Sequence, residues 1–164
     1  MADLKRFSFW TYYNYVTEDE YPVDQTAMVL NLHISTEYWL DRLIQHRCKL
    51  NDEELDAFDL GYAKKLRVLR KTKTLSEEIS RNLKILNDLR NRFAHRLDYV
   101  LGQGDADFTF GMAGFNVEHY KEQLSTRDGL NWKKMLVDIG KITLEPLETY
   151  CLKEIGLPEP IDGQ

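Results

Sequence analysis

The sequence predicts an all-α protein, a bundle of four or five helices. Three observations carry that prediction. Apolar residues recur at spacings of three and four over most of the chain. Residues suited to helix caps stand where those runs begin and end. Strand-like patterning is scarce, and only residues 106–117 offer a short hairpin as an alternative. The chain has 164 residues, 43% of them apolar and 30% charged, enough for one domain with a real core. The expected organisation is a single domain without internal repeats. It comprises an aromatic N-terminal segment (1–23), core helices over about 24–97, a glycine-rich loop (102–114) and a C-terminal helix over about 130–155.

Residues 7–21, FSFWTYYNYVTEDEY, hold seven aromatics. Such rings can stack on bases, but the segment is expected to pack across the bundle or a subunit interface. The first long helix should run from Asp24 to roughly Gln45, with Asp24 as N-cap and Pro22 just outside. Met28, Leu32, Ser35, Trp39 and Leu43 form one stripe on it. Leu30, His33, Glu37, Leu40 and Ile44 form a second, and a helix apolar on two sides is central. Glu37 is an acid in that second stripe. Asn51 to Glu54 reads as a helix start, with acids suited to the helix dipole.

A short helix is expected over Asp59 to Lys71, with Leu60, Ala63, Leu66 and Leu69 or Arg70 on one side. Ser76 caps the next, which runs to about Arg96 with Ile79, Leu83, Leu86, Phe93 and Leu97 as its stripe. Position 90 belongs to that stripe and is an arginine. The loop GQGDADFTFGMAG (102–114) lacks the Gly-Lys-Ser/Thr ending of a phosphate-binding loop. Asp105 and Asp107 are read as solvated rather than as cation ligands. The last helix, about Leu130 to Ile155, offers Trp132, Met135, Leu136, Ile139, Ile142 and Leu147 for burial. Pro146 lies inside it, where it can kink the helix. Gly156 and Pro158 end it.

The net charge is −5, which argues against a general nucleic-acid binder. The charge is uneven, however. Residues 61–100 hold 11 Lys/Arg against 4 Asp/Glu, a local net of +7, and the rest holds 11 against 23, a net of −12. Such a segment is either a solvated helix face or the docking side for an anionic partner. Its candidates for anion or RNA binding are Lys64, Lys65, Arg67, Arg70, Lys71, Arg92 and Arg96. No apolar run approaches the roughly 20 residues of a membrane span, and MADLKRFSFW has no apolar core of a secretory signal. Cys48 and Cys151 are read as buried thiols of a cytoplasmic protein. His46 and Cys48 stand two apart without CxxC or HExxH, so neither a metal nor another cofactor is expected. His33 is read as a satisfied core residue and His119 as a surface or loop residue.

Residues 89–97, LRNRFAHRL, hold the chemistry. Arg90 falls close to Leu83 on the helical wheel, while Asn91 and His95 share a face at the stripe's edge. Arg90 and His95 are about 140° apart, but a long guanidinium near a helix end can reach round. An unpaired buried guanidinium is costly. Glu37 is its best partner within the chain, with Asp41 and Asp88 behind it. A phosphate or a second subunit would also serve. In a purely structural reading, Arg90 bridges helices through Glu37 while Asn91 and His95 bond the helix end.

The run Arg90-Asn91-Arg92-Phe93-Ala94-His95 resembles the Arg-x4–6-His motif of the HEPN superfamily, in its RN-x-x-AH form. NLHISTEYWLDRLI (31–44) is similar to the first core helix of the mannitol-repressor-like branch, and residues 58–95 to its second and third helices. The resemblance covers roughly residues 25–97. It implies an all-α bundle that dimerises through the motif-bearing helices. Many members are metal-independent endoribonucleases, often toxins with antitoxins or defence effectors, with two motifs meeting in one RNA-cleaving cleft. On that pattern His95 is the acid/base residue, Arg90 holds the scissile phosphate, Asn91 orients either, and Glu37 orients Arg90. Histidine titrates near neutrality and can move the required protons, and a fixed arginine stabilises phosphorane charge. The mannitol-repressor-like branch also includes regulators and protein-interaction modules, which is the alternative function.

Overall fold

Local capping explains where the helices begin. The Asp24 carboxylate accepts the Ala27 backbone N–H at 2.7 Å, and the Ser76 hydroxyl accepts that of Ile79 at 3.2 Å. Asn51 and Glu54 form a reciprocal capping box, and Asn131 accepts from Lys134 N at 3.1 Å. Each such cap contributes on the order of 1 kcal/mol.

The computed structural model describes residues 5–18, 24–96, 99, 101, 111–124 and 131–156. Among them the chain is all-α, with seven helices and no strand. These are α1 (Phe9–Thr17), α2 (Gln25–Cys48), α3 (Asp52–Phe58), α4 (Tyr62–Lys71), α5 (Glu77–His95), α6 (Val117–Leu124) and α7 (Trp132–Ile155). The count exceeds four or five because the short segments α1, α3 and α6 are helices in their own right. The expected 59–71 helix starts at Tyr62, since Asp59 turns left-handed (φ 43°) to end α3. Its buried side is Tyr62, Lys65, Leu66 and Leu69, with Ala63 exposed, and Tyr62 anchors that side to α2 through the Thr36 hydroxyl at 2.8 Å.

α2 is central and packs most extensively on α7, with α5, α4, α1 and α3 around it. Its whole first stripe is buried; in the second, Leu30 and Glu37 are only half-buried. The aromatic segment belongs to the bundle. Tyr12 is buried and donates its hydroxyl to Leu136 O at 2.9 Å. Phe7 stacks on Tyr38, and Trp39 Nε1 donates to Phe7 O at 3.0 Å. A Cβ on Gly140 would stand 2.6 Å from Tyr12 Cε1, so only glycine lets α7 approach α1 this closely. Glu148, buried on α7, accepts Phe9 N at 2.7 Å and so caps α1 from across the interface. Burial holds its carboxyl above the usual range, although that hydrogen bond pulls the other way.

α7 continues through Pro146. Proline has no N–H for the carbonyl four residues earlier, which here is Ile142. The Asn82 side chain on α5 supplies the donor, Nδ2 to Ile142 O at 3.1 Å. The same amide donates to Ala113 O at 3.1 Å and accepts from Ala113 N at 2.8 Å. Asn82 is 2% exposed, so one buried amide ties α5, the segment before α6 and the proline-interrupted turn of α7. Gly156, at φ 73°, closes α7 in the left-handed conformation.

Some expectations need correction. Cys151 is buried, with Sγ 3.7 Å from Trp39 O, but Cys48 is exposed because α2's last turn runs beyond the core. His119 lies on α6, half-buried, with Nε2 3.0 Å from Gln123 Nε2. The hairpin has no counterpart over 111–117, which form turns and the start of α6. Residues 102–110 with Asp105 and Asp107, and likewise Pro22, Leu97, Leu130 and Pro158, lie outside the described residues. No described helix is long and apolar enough to cross a membrane.

Candidate functional site

Successive steps of three and four residues place Glu77, Arg81, Lys84, Asp88, Arg92 and His95 along one face of α5. The core occupies the other side, through Leu83, Leu86, Leu89 and Phe93. Towards the helix end the buried line runs through Leu89, so Arg90 lies at its flank, half-buried, rather than as a member.

Two grooves follow the outer face. The first, of about 510 Å³, is lined by Asp88, Asn91, Arg92, His95, Arg96 and Tyr99. His95 and Arg96 are exposed, and Asn91 and Arg92 half-buried. Arg96 also sits over the Tyr99 ring, 5.6 Å from its centroid. The second groove, of about 490 Å³, lies between α4 and α5. Arg67, Arg70, Arg81 and Lys84 line it with Glu77, Ser80, Asn87 and Asp88. Asp88 belongs to both.

Asn91 and His95 thus face one groove. Arg90 does not line it, but its Nη1 donates to Asn91 Oδ1 at 3.2 Å. Arg90 Nε is buried without a hydrogen-bond partner. The expected support from Glu37 is not made. Glu37 Oε1 instead takes Lys65 Nζ at 2.9 Å, and the same ammonium meets Asp41 Oδ1 at 2.8 Å. The reason lies in the α4 register, which turns Lys65 inward to 8% exposure. Lys65 is therefore a core ion-pair residue, not part of the anion-binding set. Lys64 and Lys71 are exposed on α4 but line neither groove.

Burial opposes the charge on Lys65, but Asp41 and Glu37 outweigh it and hold its pKa up. Burial raises the Asp41 carboxyl against the same lysine's pull. One ammonium within 3 Å of two carboxylates favours the charged state. Replacing Lys65 with alanine should cost about 2–3 kcal/mol in a thermal or urea melt. That is below the ~3–5 kcal/mol of a fully buried broken pair, because the Glu37 and Asp41 side chains stay 32% and 23% exposed.

His33 is buried beneath this region. It stacks on Tyr62 with centroids 4.2 Å apart, and its Nε2 donates to Asn87 Oδ1 at 3.0 Å. Burial lowers its pKa, the Asn87 bond and Glu37 oppose that, and the Arg90 and Lys65 charges add to it.

Sequence reading missed Ser80, Arg81, Lys84, Asn87 and Tyr99. The helical spacing that joins His95 back to Arg81 through Asp88 was the available signal. Among the described residues, no three His, Cys, Asp or Glu side chains gather as a metal-binding group. Comparison with family models, with curated proteins and with solved structures finds no match to this chain.

Proposed function

We propose that the protein is a HEPN-type ribonuclease that cleaves single-stranded RNA by transesterification, in the cytoplasm. The observation that carries this reading is the first groove, where an exposed histidine stands beside an amide and two guanidiniums. In this reaction the ribose 2′-hydroxyl loses a proton and attacks the adjacent phosphorus. The 5′-oxygen of the next nucleotide leaves with a proton, giving a 2′,3′-cyclic phosphate and a 5′-hydroxyl. His95 handles one of those protons, since imidazole can give or take a proton near neutrality. Arg92 and Arg96 face the phosphate, where charge-assisted hydrogen bonds are strong. Arg90 acts through Asn91, whose carbonyl oxygen it holds.

One copy brings one histidine to the groove. A second copy meeting the first at the His95 end of α5, clear of the groove between α4 and α5, would bring another, so that acid and base are separate residues, and a homodimer is part of the proposal. Two free cysteines, Cys48 among them exposed, suit a reducing compartment.

The test is incubation of a mixed RNA pool with pure protein in EDTA, wild type beside His95→Ala. Cleavage by wild type alone is the expected result. Equal cleavage by both removes His95 from the chemistry. A second reading, a non-catalytic interaction module, is favoured by exposed Trp10 (58%), Ile34 (52%) and Phe58 (60%). It predicts no cleavage by either protein.

A further inference from the structure

We propose that the groove between α4 and α5 is a binding track for the phosphate backbone of single-stranded RNA, leading to His95. The ligand class rests on the ribonuclease reading; the site rests on its own geometry. Ser80 is 6% exposed, and its buried Oγ has no hydrogen-bond partner. A buried hydroxyl left unpaired is unfavourable, and Ser80 is one of the residues that line the groove. Around it stand Arg67, Arg70, Arg81 and Lys84, all exposed. No described carboxylate forms an ion pair with any of the four. Several cations and a hydroxyl donor with nothing to donate to are the complement of a phosphate diester, which has acceptors alone.

The shape argues for a polymer. Both grooves share Asp88 and follow one face of α5 from Glu77 to His95, about 27 Å at 1.5 Å per residue. That exceeds a mononucleotide. A slot between two helices also suits a single strand better than the broad, shallow minor groove of duplex RNA. Asp88, where the two grooves meet, repels phosphate, so the strand's contacts fall to either side of it.

The experiment uses the His95→Ala protein and a fluorescein-labelled single-stranded RNA, with anisotropy read across a salt series. Arg67→Ala with Arg81→Ala should weaken binding at least tenfold. It should also lower the slope of log affinity against log salt by about 1.4, at ~0.7 per phosphate contact on a single strand. Ser80→Ala should weaken binding about threefold with the slope unchanged. Its melting temperature should hold or rise, since Oγ has no partner to lose and the cost of an unpaired buried hydroxyl is removed. Unchanged affinity and slope in the double variant would overturn the proposal, as would displacement of the RNA by a mononucleotide at equal nucleotide concentration. Loss of binding in the groove variants with no cleavage by wild type would keep the track and remove the ribonuclease reading. Normal binding by the variants alongside wild-type cleavage would do the reverse.

Discussion

RNA cleavage by His95→Ala is expected to run about 10²–10⁴-fold slower than wild type, the usual contribution of a positioned general acid or base. The fold should be unaffected. His95 is the last residue of α5, exposed, with its side chain in an open groove, and exposed surface substitutions usually change stability by less than about 0.5 kcal/mol. The pairing of a large activity loss with an unchanged melting temperature is the signature of a residue used in chemistry. Arg90→Ala should separate differently, because Arg90 is half-buried and bonded to Asn91. It should lose activity and some stability together. A structural role for the motif would instead move stability in both variants and leave no cleavage to lose.

Asn82→Ala should be among the most destabilising single substitutions in the protein, at about 3–5 kcal/mol in a urea or thermal melt. The variant strips a partner from Ile142 O, Ala113 O and Ala113 N at once. Each buried polar group left unpaired costs about 1–3 kcal/mol, and local relaxation recovers part of the total. The proline makes this account separable from simple cavity formation. Pro146→Ala restores an N–H four residues after Ile142. It should therefore stabilise the Asn82→Ala protein by about 1 kcal/mol more than it stabilises wild type, as the coupling term of a double-mutant cycle. Equal effects in the two backgrounds would mean that Ile142 O finds another donor.

The helices were legible because their signals are local. Asp24, Asn51 and Ser76 each cap the helix that begins beside them, and the apolar spacing of α2 and α7 marks both as core helices. Contacts between helices were less legible. Glu37 stands in an apolar stripe of α2 and is half-buried, but its partner depends on which side of α4 is turned inward. Tyr62, stacked on His33 and bonded to Thr36, turns inward the side of α4 that carries Lys65 rather than the one that carries Ala63. The cation was then supplied by Lys65, and Arg90 turned to Asn91. The three-and-four spacing that follows Leu86 admits position 89 as well as position 90, and the core takes Leu89. The basic segment was visible as a charge imbalance. Its division into buried Lys65, idle Lys64 and Lys71, and the groove cations Arg67, Arg70, Arg81 and Lys84 required two helices to be set against each other. Asn82 could not be found from sequence, because its role comes from a proline 64 positions away on another helix.

The new RNA ends report directly whether the proposed cleavage in the α5 groove proceeds by internal transesterification. A defined single-stranded RNA is incubated with the protein in EDTA, and the products are weighed by mass spectrometry. The expected products are a 2′,3′-cyclic phosphate on the upstream fragment and a 5′-hydroxyl on the downstream one, both absent with His95→Ala. A 3′-hydroxyl paired with a 5′-phosphate, or intact RNA with protein in excess, would contradict it.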